Sequence, residues 1–466
     1  MKYKYETIAD TLREEITGGK YKAGDKLPSV RELKSRHQSS VTTIQMVYES
    51  LIVQGLVESV PKSGYYVSEA IPPILPKHQA KKQLPDVFFR DNLAAITKHP
   101  EKQWAEFNVA MAGDLLVPQK LILRTMQHVI REKGTRLLRY YPSNGSEELR
   151  IQIAAQARQH AIFLNPENLI ITDGALQALY IALSAVCMSN DIIAVESPCV
   201  FSVLEVIRML GLSVIEIPVD PEKGFDIDFL EAAIKDTPVK AVVLTPNFHN
   251  PTGKMLSDTG KKKIIAIAVE HSIAIIENDI YGDLNFSGDR PRTIQSWDES
   301  GLVLTFSSYS KTLAGGIRLG WLSPGRFFEK AEQLKFSLGS TVAPVYQETV
   351  CRLLETKSYD RHIRRFRMQL AKQARQAIVL LGRYFPEHTF FVPPQGGYAI
   401  WVRTAEGTDM QQFYAYCEAL GIRFTPGTTF SLTPNYSNYF RIVFADAFTP
   451  LREKALKAAG KGFRDL

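Results

Sequence analysis

Lys311 stands in the run SSYSKTLAGGIRLGW, among the hydroxyls of Ser307, Ser308, Ser310 and Thr312, with Gly315, Gly316 and Arg318 following it. A lysine on the surface has no need of such neighbours. A lysine that attacks an aldehyde does, because nearby cations and desolvation favour its neutral, nucleophilic form. Hydroxyls and a guanidinium are groups that hold a phosphate dianion. The run therefore suits an amine that approaches a phosphorylated aldehyde, with the glycines expected to let the backbone come close.

Three further segments carry polar groups that buried strands do not need. ITDGALQALY opens a helix at Gly174, so Ala175 and Leu176 offer free N–H groups to an anion. NFHNPTG closes a strand with Asn250 and turns through Pro251 and Gly253, and IIENDIYGDL closes another with Asn278, Asp279 and Tyr281. Each has a plain reading alone: an N-cap, an ordinary turn, a satisfied strand end, a solvated lysine. Together they fall at successive strand ends, where open α/β sheets bind ligands.

The elements that must position them follow from patterning. NLIIT, DIIAVES, LSVIEIPVD, VKAVVLTP, IAIIEND and LVLTFSS are buried-strand candidates, with helical runs such as ALQALYIALSAV and GKKKIIAIAVEHS between them. This alternation predicts an α/β fold, a mostly parallel sheet covered on both faces. From about residue 340, long helices and then YAIWV and YFRIVFA predict a smaller α+β lobe, the large lobe covering about 145–330. At the N-terminus, Ile8, Ala9, Leu12 and Ile16 mark one helix. Pro28 and Ser29 introduce a second, and Ser39 or Ser40 caps a third bearing Ile44, Val47, Tyr48 and Leu51. Two short strands around Pro-Lys-Ser-Gly then complete a winged helix-turn-helix plan over residues 1–68. Residues 69–103, rich in proline and lysine, are expected to be a linker, with LAAITKHPEKQ docking on the domain 104–466.

A chain of 466 residues is too long for one core. No apolar run is long enough to cross a membrane, and MKYKYETIADTLREEI lacks a signal peptide's apolar centre. Four singly placed cysteines give neither a metal nor a redox spacing, so no metal site is expected and a cytoplasmic location fits. The net charge of +7 suits a polyanionic partner but looks diffuse along the sequence.

The motifs from about residue 105 onward resemble the fold-type I pyridoxal phosphate enzymes, the aminotransferase superfamily. The resemblance implies pyridoxal 5′-phosphate as cofactor, held as a Schiff base on Lys311. Gly174, Ala175, Leu176, Ser308, Ser310 and Arg318 would form the phosphate cup, with Asn250 and Tyr281 donating to the ring's phenolic oxygen. Tyr140, in YYPSNG, would reach the phosphate of a neighbouring subunit, which implies a homodimer, and Arg441, in YFRIVFA, would grip a substrate carboxylate. Two positions depart from the pattern. The aspartate that partners the pyridine nitrogen is replaced by Asn278, with Asp279 next to it; the stacking aromatic is replaced by Val200, with Phe201 adjacent. An amide holds a ring proton less firmly than a carboxylate, which weakens carbanion chemistry while leaving cofactor binding intact.

The first 68 residues resemble the GntR-type winged helix. Ser29, Arg31, Arg36, Ser40, Thr42, Thr43, Gln45 and, in the wing, Lys62 are then the candidates for contact with double-stranded operator DNA. The two halves together resemble the MocR-type transcription regulators, in which the aminotransferase-like domain senses an amino compound or the cofactor. A true aminotransferase with an accessory DNA-binding domain is the alternative, and a large domain that only dimerises is a third.

Overall fold

The computed structural model describes residues 4–22, 24–53, 56–60, 63–67, 105–220, 224–286, 288–339 and 341–464. The linker and the expected docking run LAAITKHPEKQ lie outside these residues. The chain forms two units, residues 1–79 and 80–466.

In the first unit, helices α1 (Lys4–Thr17), α2 (Val30–His37) and α3 (Val41–Val53) are followed by β1 (Val57–Val60) and β2 (Gly64–Val67), an antiparallel pair. The apolar stripe of α1 and the buried Ile44, Val47, Tyr48 and Leu51 of α3 close one core with Leu27, Leu33 and Val67. Ser29 caps α2 through a reciprocal box with Glu32. Ser40, rather than Ser39, caps α3, its Oγ accepting the Thr43 N–H at 3.1 Å. Tyr48 stacks on Tyr65 of β2 at 3.8 Å, tying the third helix to the ribbon.

The second unit is built on an eight-stranded sheet in the order β4-β11-β10-β9-β8-β5-β6-β7. These strands are β4 (Ile170–Thr172), β5 (Ile192–Ser197), β6 (Ser213–Asp220), β7 (Gly224–Phe225), β8 (Val239–Leu244), β9 (Ala274–Asn278), β10 (Val303–Ser308) and β11 (Gly320–Ser323). Only β7 and β11 run against the others. Neither had a strand signature in the sequence reading; both are short and make antiparallel returns. Side chains alternate strictly between two cores, as the pleat requires. Ile193, Val195, Val243, Ile276 and Phe306 face the helices Gly174–Val186 and Phe201–Met209, while Ala194, Val242, Leu244, Ile275 and Val303 face Ile227–Asp236 and Asp258–His271. With both faces buried, the strands read as continuous apolar runs.

A smaller lobe follows the helices Pro344–Glu355 and Ser358–Tyr384. Its four-stranded antiparallel sheet contains β12 (Phe390–Phe391), β13 (Ala399–Arg403), β15 (Thr425–Pro426) and β16 (Tyr439–Val443), flanked by the helix Pro450–Arg464. A second short pairing joins β3 (Ala105–Glu106) to β14 (Ile422–Arg423), which brings the start of this unit beside its end.

Candidate cofactor site and DNA-contacting surface

Strands β4, β5, β8, β9 and β10 point their carboxyl ends the same way, and the polar segments follow those ends. They surround a cavity of about 570 Å³. Lys311, Arg318, Ser308, Ser310, Ala175, Leu176, Asn250, Asn278, Tyr281, Phe201 and Arg441 all line it.

Burial is the main reason that the Lys311 ammonium loses its proton easily, with the Arg441 and Arg318 charges adding to it; its pKa falls to about 8. The Nζ donates to the Ala110 carbonyl, and the Tyr398 hydroxyl holds the Lys311 backbone carbonyl. Arg318 is fixed in the left-handed region, φ +48°, a conformation that costs a non-glycine residue roughly 1 kcal/mol or more. Its guanidinium lies over the start of the helix Gly174–Val186, Nη2 donating to the Asp173 carbonyl at 3.1 Å. That helix has no side-chain cap, so its first N–H groups remain available to an anion. Gly174, at φ +78°, leaves room for this approach, since a Cβ there would meet Arg318 Nη2 at 2.8 Å. Gly320 likewise abuts Gly174 and Ser307. Gly316 has open space around it and Gly315 meets only Met111 Sδ at 3.5 Å, whereas Gly174 and Gly320 are packed tightly against protein atoms. Ser308 Oγ donates to the Leu319 carbonyl and accepts from the Ser310 N–H, which holds the turn before Lys311.

On the far wall Asn250 Nδ2 donates to the Tyr281 hydroxyl at 3.2 Å, and Arg441 Nη1 donates to Asn250 Oδ1 at 3.1 Å. Arg441 is 2% exposed and has no carboxylate partner among the described residues. Burial lowers its pKa to about 10, and its Nε is left without a hydrogen bond. Its protein partners are the neutral oxygens of Asn250, Asn108 and Thr425. Beneath Asn250, His249 and Glu196 lie 3.3 Å apart; burial lowers the imidazole to about 3 and raises the carboxyl to about 8, so both are neutral struts for the loop.

Asn278 and Asp279 part company, because successive residues of an extended strand point to opposite faces. Asn278 lines the cavity, its Oδ1 accepting the Ile280 N–H at 3.2 Å, which leaves its NH₂ group as the other polar function. Asp279 faces the opposite side, paired with Arg290 and accepting from Asn247 Nδ2 at 3.1 Å. The expectation that Asp279 contacts the cofactor is thus corrected. Val200 and Phe201 both wall the cavity. Tyr140 is 91% exposed and does not line the cavity of its own chain.

Several contributors had no sequence signal. Ala110 receives the Lys311 amine and Asn108 receives Arg441 through backbone carbonyls 201 and 333 positions away in the chain, and Thr425, 16 positions from Arg441, receives it through its hydroxyl. A carbonyl carries no residue signature, and Thr425 lies in no motif.

Residues 110–458 match the family described as aminotransferase class I and II. The chain belongs to that family. Residues 4–67 match the bacterial regulatory proteins of the gntR family, so the aminotransferase domain is preceded by a GntR domain, the MocR-type combination. The chain is 34% identical to YjiR of Escherichia coli K12, named an uncharacterized HTH-type transcriptional regulator, over 98% of both chains. Among solved structures, a multiple substrate aminotransferase from Thermococcus profundus superposes with a TM-score of 0.75 at 24% identity, covering 82% of this chain and 96% of that one. LysN, an α-aminoadipate aminotransferase from Thermus thermophilus solved with N-(5'-phosphopyridoxyl)-L-leucine, gives 0.72 at 23% identity, covering 81% and 94%. The aminotransferase domain takes pyridoxal 5′-phosphate, and its residues fit that group. An easily deprotonated lysine, an uncapped helix start under Arg318 and the Asn250–Tyr281 pair have the chemistry that an aldehyde, a phosphate and a phenolic oxygen would call for.

In the GntR domain, Arg31, Thr42 and Gln45 are exposed on α2 and α3. Ser29 and Ser40 are engaged as caps, and Thr43 Oγ1 lies 2.8 Å from Ser40 Oγ. Arg36 is paired with Glu15 at 2.6 Å, so part of its guanidinium is already engaged. Lys62 lies outside the described residues.

Proposed function

We propose that this protein is a pyridoxal phosphate-dependent, DNA-binding transcription regulator. Its aminotransferase domain senses an amino compound, or the cofactor itself, and its GntR domain binds operator DNA. The observation that carries this reading is the amide of Asn278 in a cavity where Lys311 and Arg441 remain equipped for binding. Bound pyridoxal phosphate supplies an aldehyde that captures amines and a ring that draws electrons from them. Lys311 would provide the neutral amine to hold the aldehyde. Arg318, the hydroxyls of Ser308 and Ser310 and the free N–H groups after Gly174 hold the phosphate. Asn250 and Tyr281 orient the ring oxygen, and Arg441 takes the effector's carboxylate. The Asn278 NH₂ donates rather than accepts, and so does not keep a ring nitrogen protonated. Capture is supported more strongly than turnover.

The protein acts in this reading as a cytoplasmic homodimer. Leu138 and Tyr140, 87% and 91% exposed beside the helix Gln119–Lys133, offer an apolar edge that a second copy would cover. Regulation requires that the effector bind two states of the dimer with different affinity.

Titrating the purified protein with amino acids while measuring its affinity for its own promoter is the test. A shift in DNA affinity that requires Lys311 is expected. Multiple-turnover keto acid production with no change in DNA binding would instead favour an aminotransferase, a reading that the intact Lys311 and Arg441 also permit.

A further inference from the structure

The basic excess of the chain is not diffuse once folded. Residues 1–67 hold ten lysines and arginines against eight acidic residues, a net of only +2. The helix Ser358–Tyr384 holds seven against the single Asp360, a net of +6 in a chain of net +7.

These charges form one line. Ile363, Phe366, Leu370, Ala374 and Leu381 bury the inner face of the helix, and the exposed outer face presents Arg361, Arg364, Arg365, Lys372 and Arg375. At 1.5 Å per residue this stripe runs for about 21 Å. Like charges three and four positions apart repel along a helix. Some exposed cations elsewhere are answered by carboxylates, as in Arg13–Asp10 and Lys263–Asp228. Among the described residues, no ion pair engages Arg364, Arg365, Lys372 or Arg375. At its N-terminal end the stripe borders a shallow hollow beside Phe286 and Gly288, which Arg361, Arg364 and Arg365 also line.

We propose that this helix face is a second DNA-contacting surface, which takes the phosphate backbone of duplex DNA flanking the operator. The charge is too extended for a small phosphorylated ligand. At about 3.4 Å per base pair the stripe matches roughly six base pairs of backbone. A membrane surface would also call for bulky apolar residues along the helix, and here the outer face offers only Met368 and Val379. The GntR domain, almost neutral overall, reads sequence, and the arginine stripe adds sequence-independent affinity.

The test compares the full-length protein with a variant carrying Arg364→Gln, Arg365→Gln, Lys372→Gln and Arg375→Gln, none of which lines the cofactor cavity. Two duplexes are used: one trimmed to the GntR footprint and the same sequence with its natural flanks. The variant should bind the trimmed duplex normally and the flanked duplex at least about tenfold more weakly, with the slope of log affinity against log salt shallower by about 3 to 4. An unchanged cofactor absorbance spectrum verifies that the domain is folded. Equal affinity and slope for variant and wild type on the flanked duplex would overturn the proposal. So would loss of binding to phosphatidylserine vesicles with DNA binding intact, which would assign the stripe to a membrane. Failure of the wild type on both duplexes would count against the GntR reading instead.

Discussion

Lys311 makes a pH-dependent statement about the cofactor-free protein. Its folded pKa of about 8 lies below the ordinary lysine value of 10.5. Below pH 8 the buried ammonium is fully charged and destabilises the fold by up to about 3 kcal/mol. That penalty is relieved as pH rises from about 8 towards 10.5. The apoprotein should therefore gain stability over this window, and Lys311→Met should abolish the gain, as denaturant titrations at several pH values would reveal. The rate of cofactor attachment should climb through the same midpoint, since only the neutral amine attacks; a rate independent of pH between 7 and 9 would contradict the environment described for this residue. At Asn278 the expected change is in chemistry rather than binding. Asn278→Asp supplies the missing carboxylate and should raise single-turnover transamination by at least about tenfold, equivalent to ~1.4 kcal/mol of barrier, with cofactor affinity little changed. Asn278 was visible in the sequence as a departure from a pattern. That Asp279 is no substitute was not visible, because only the strand's pleat and the Arg290 partner turn it away.

Between the residues and the whole lie the helix starts and turns. Gly174 allows Arg318 to lie across an uncapped helix start. Gly174→Ala combines a left-handed backbone with a Cβ at 2.8 Å from the guanidinium, which should weaken cofactor binding by about tenfold or more while the fold persists. Equilibrium dialysis would measure it. In the other unit, Ser29→Ala removes one half of the capping box on α2. Loss of about 1 kcal/mol is expected, read as an earlier unfolding transition of the GntR domain in the full chain. The capping residues and the helices they introduce were legible because a cap is a local interaction between neighbours in sequence. The short strands β7 and β11 were not, since they exist only as returns paired to longer strands.

For the whole molecule, the coupling between cavity and DNA is the quantity to measure. Saturation with a responsive amino acid should change DNA affinity by roughly 5- to 150-fold. Arg441→Met should abolish that response without preventing cofactor attachment. The amino-acid sequence by itself determined the two-unit organisation, the strand runs, the lysine, the polar segments at the strand ends and the winged helix, because periodicity, caps and turn residues act over a few positions. Tertiary structure alone decided that the Ala110, Asn108 and Thr425 oxygens serve Lys311 and Arg441, that Asp279 is paired with Arg290, and that Arg36 is bound to Glu15. Each of these depends on which distant groups are brought within a few ångströms, and that proximity is a product of packing rather than of spacing along the chain.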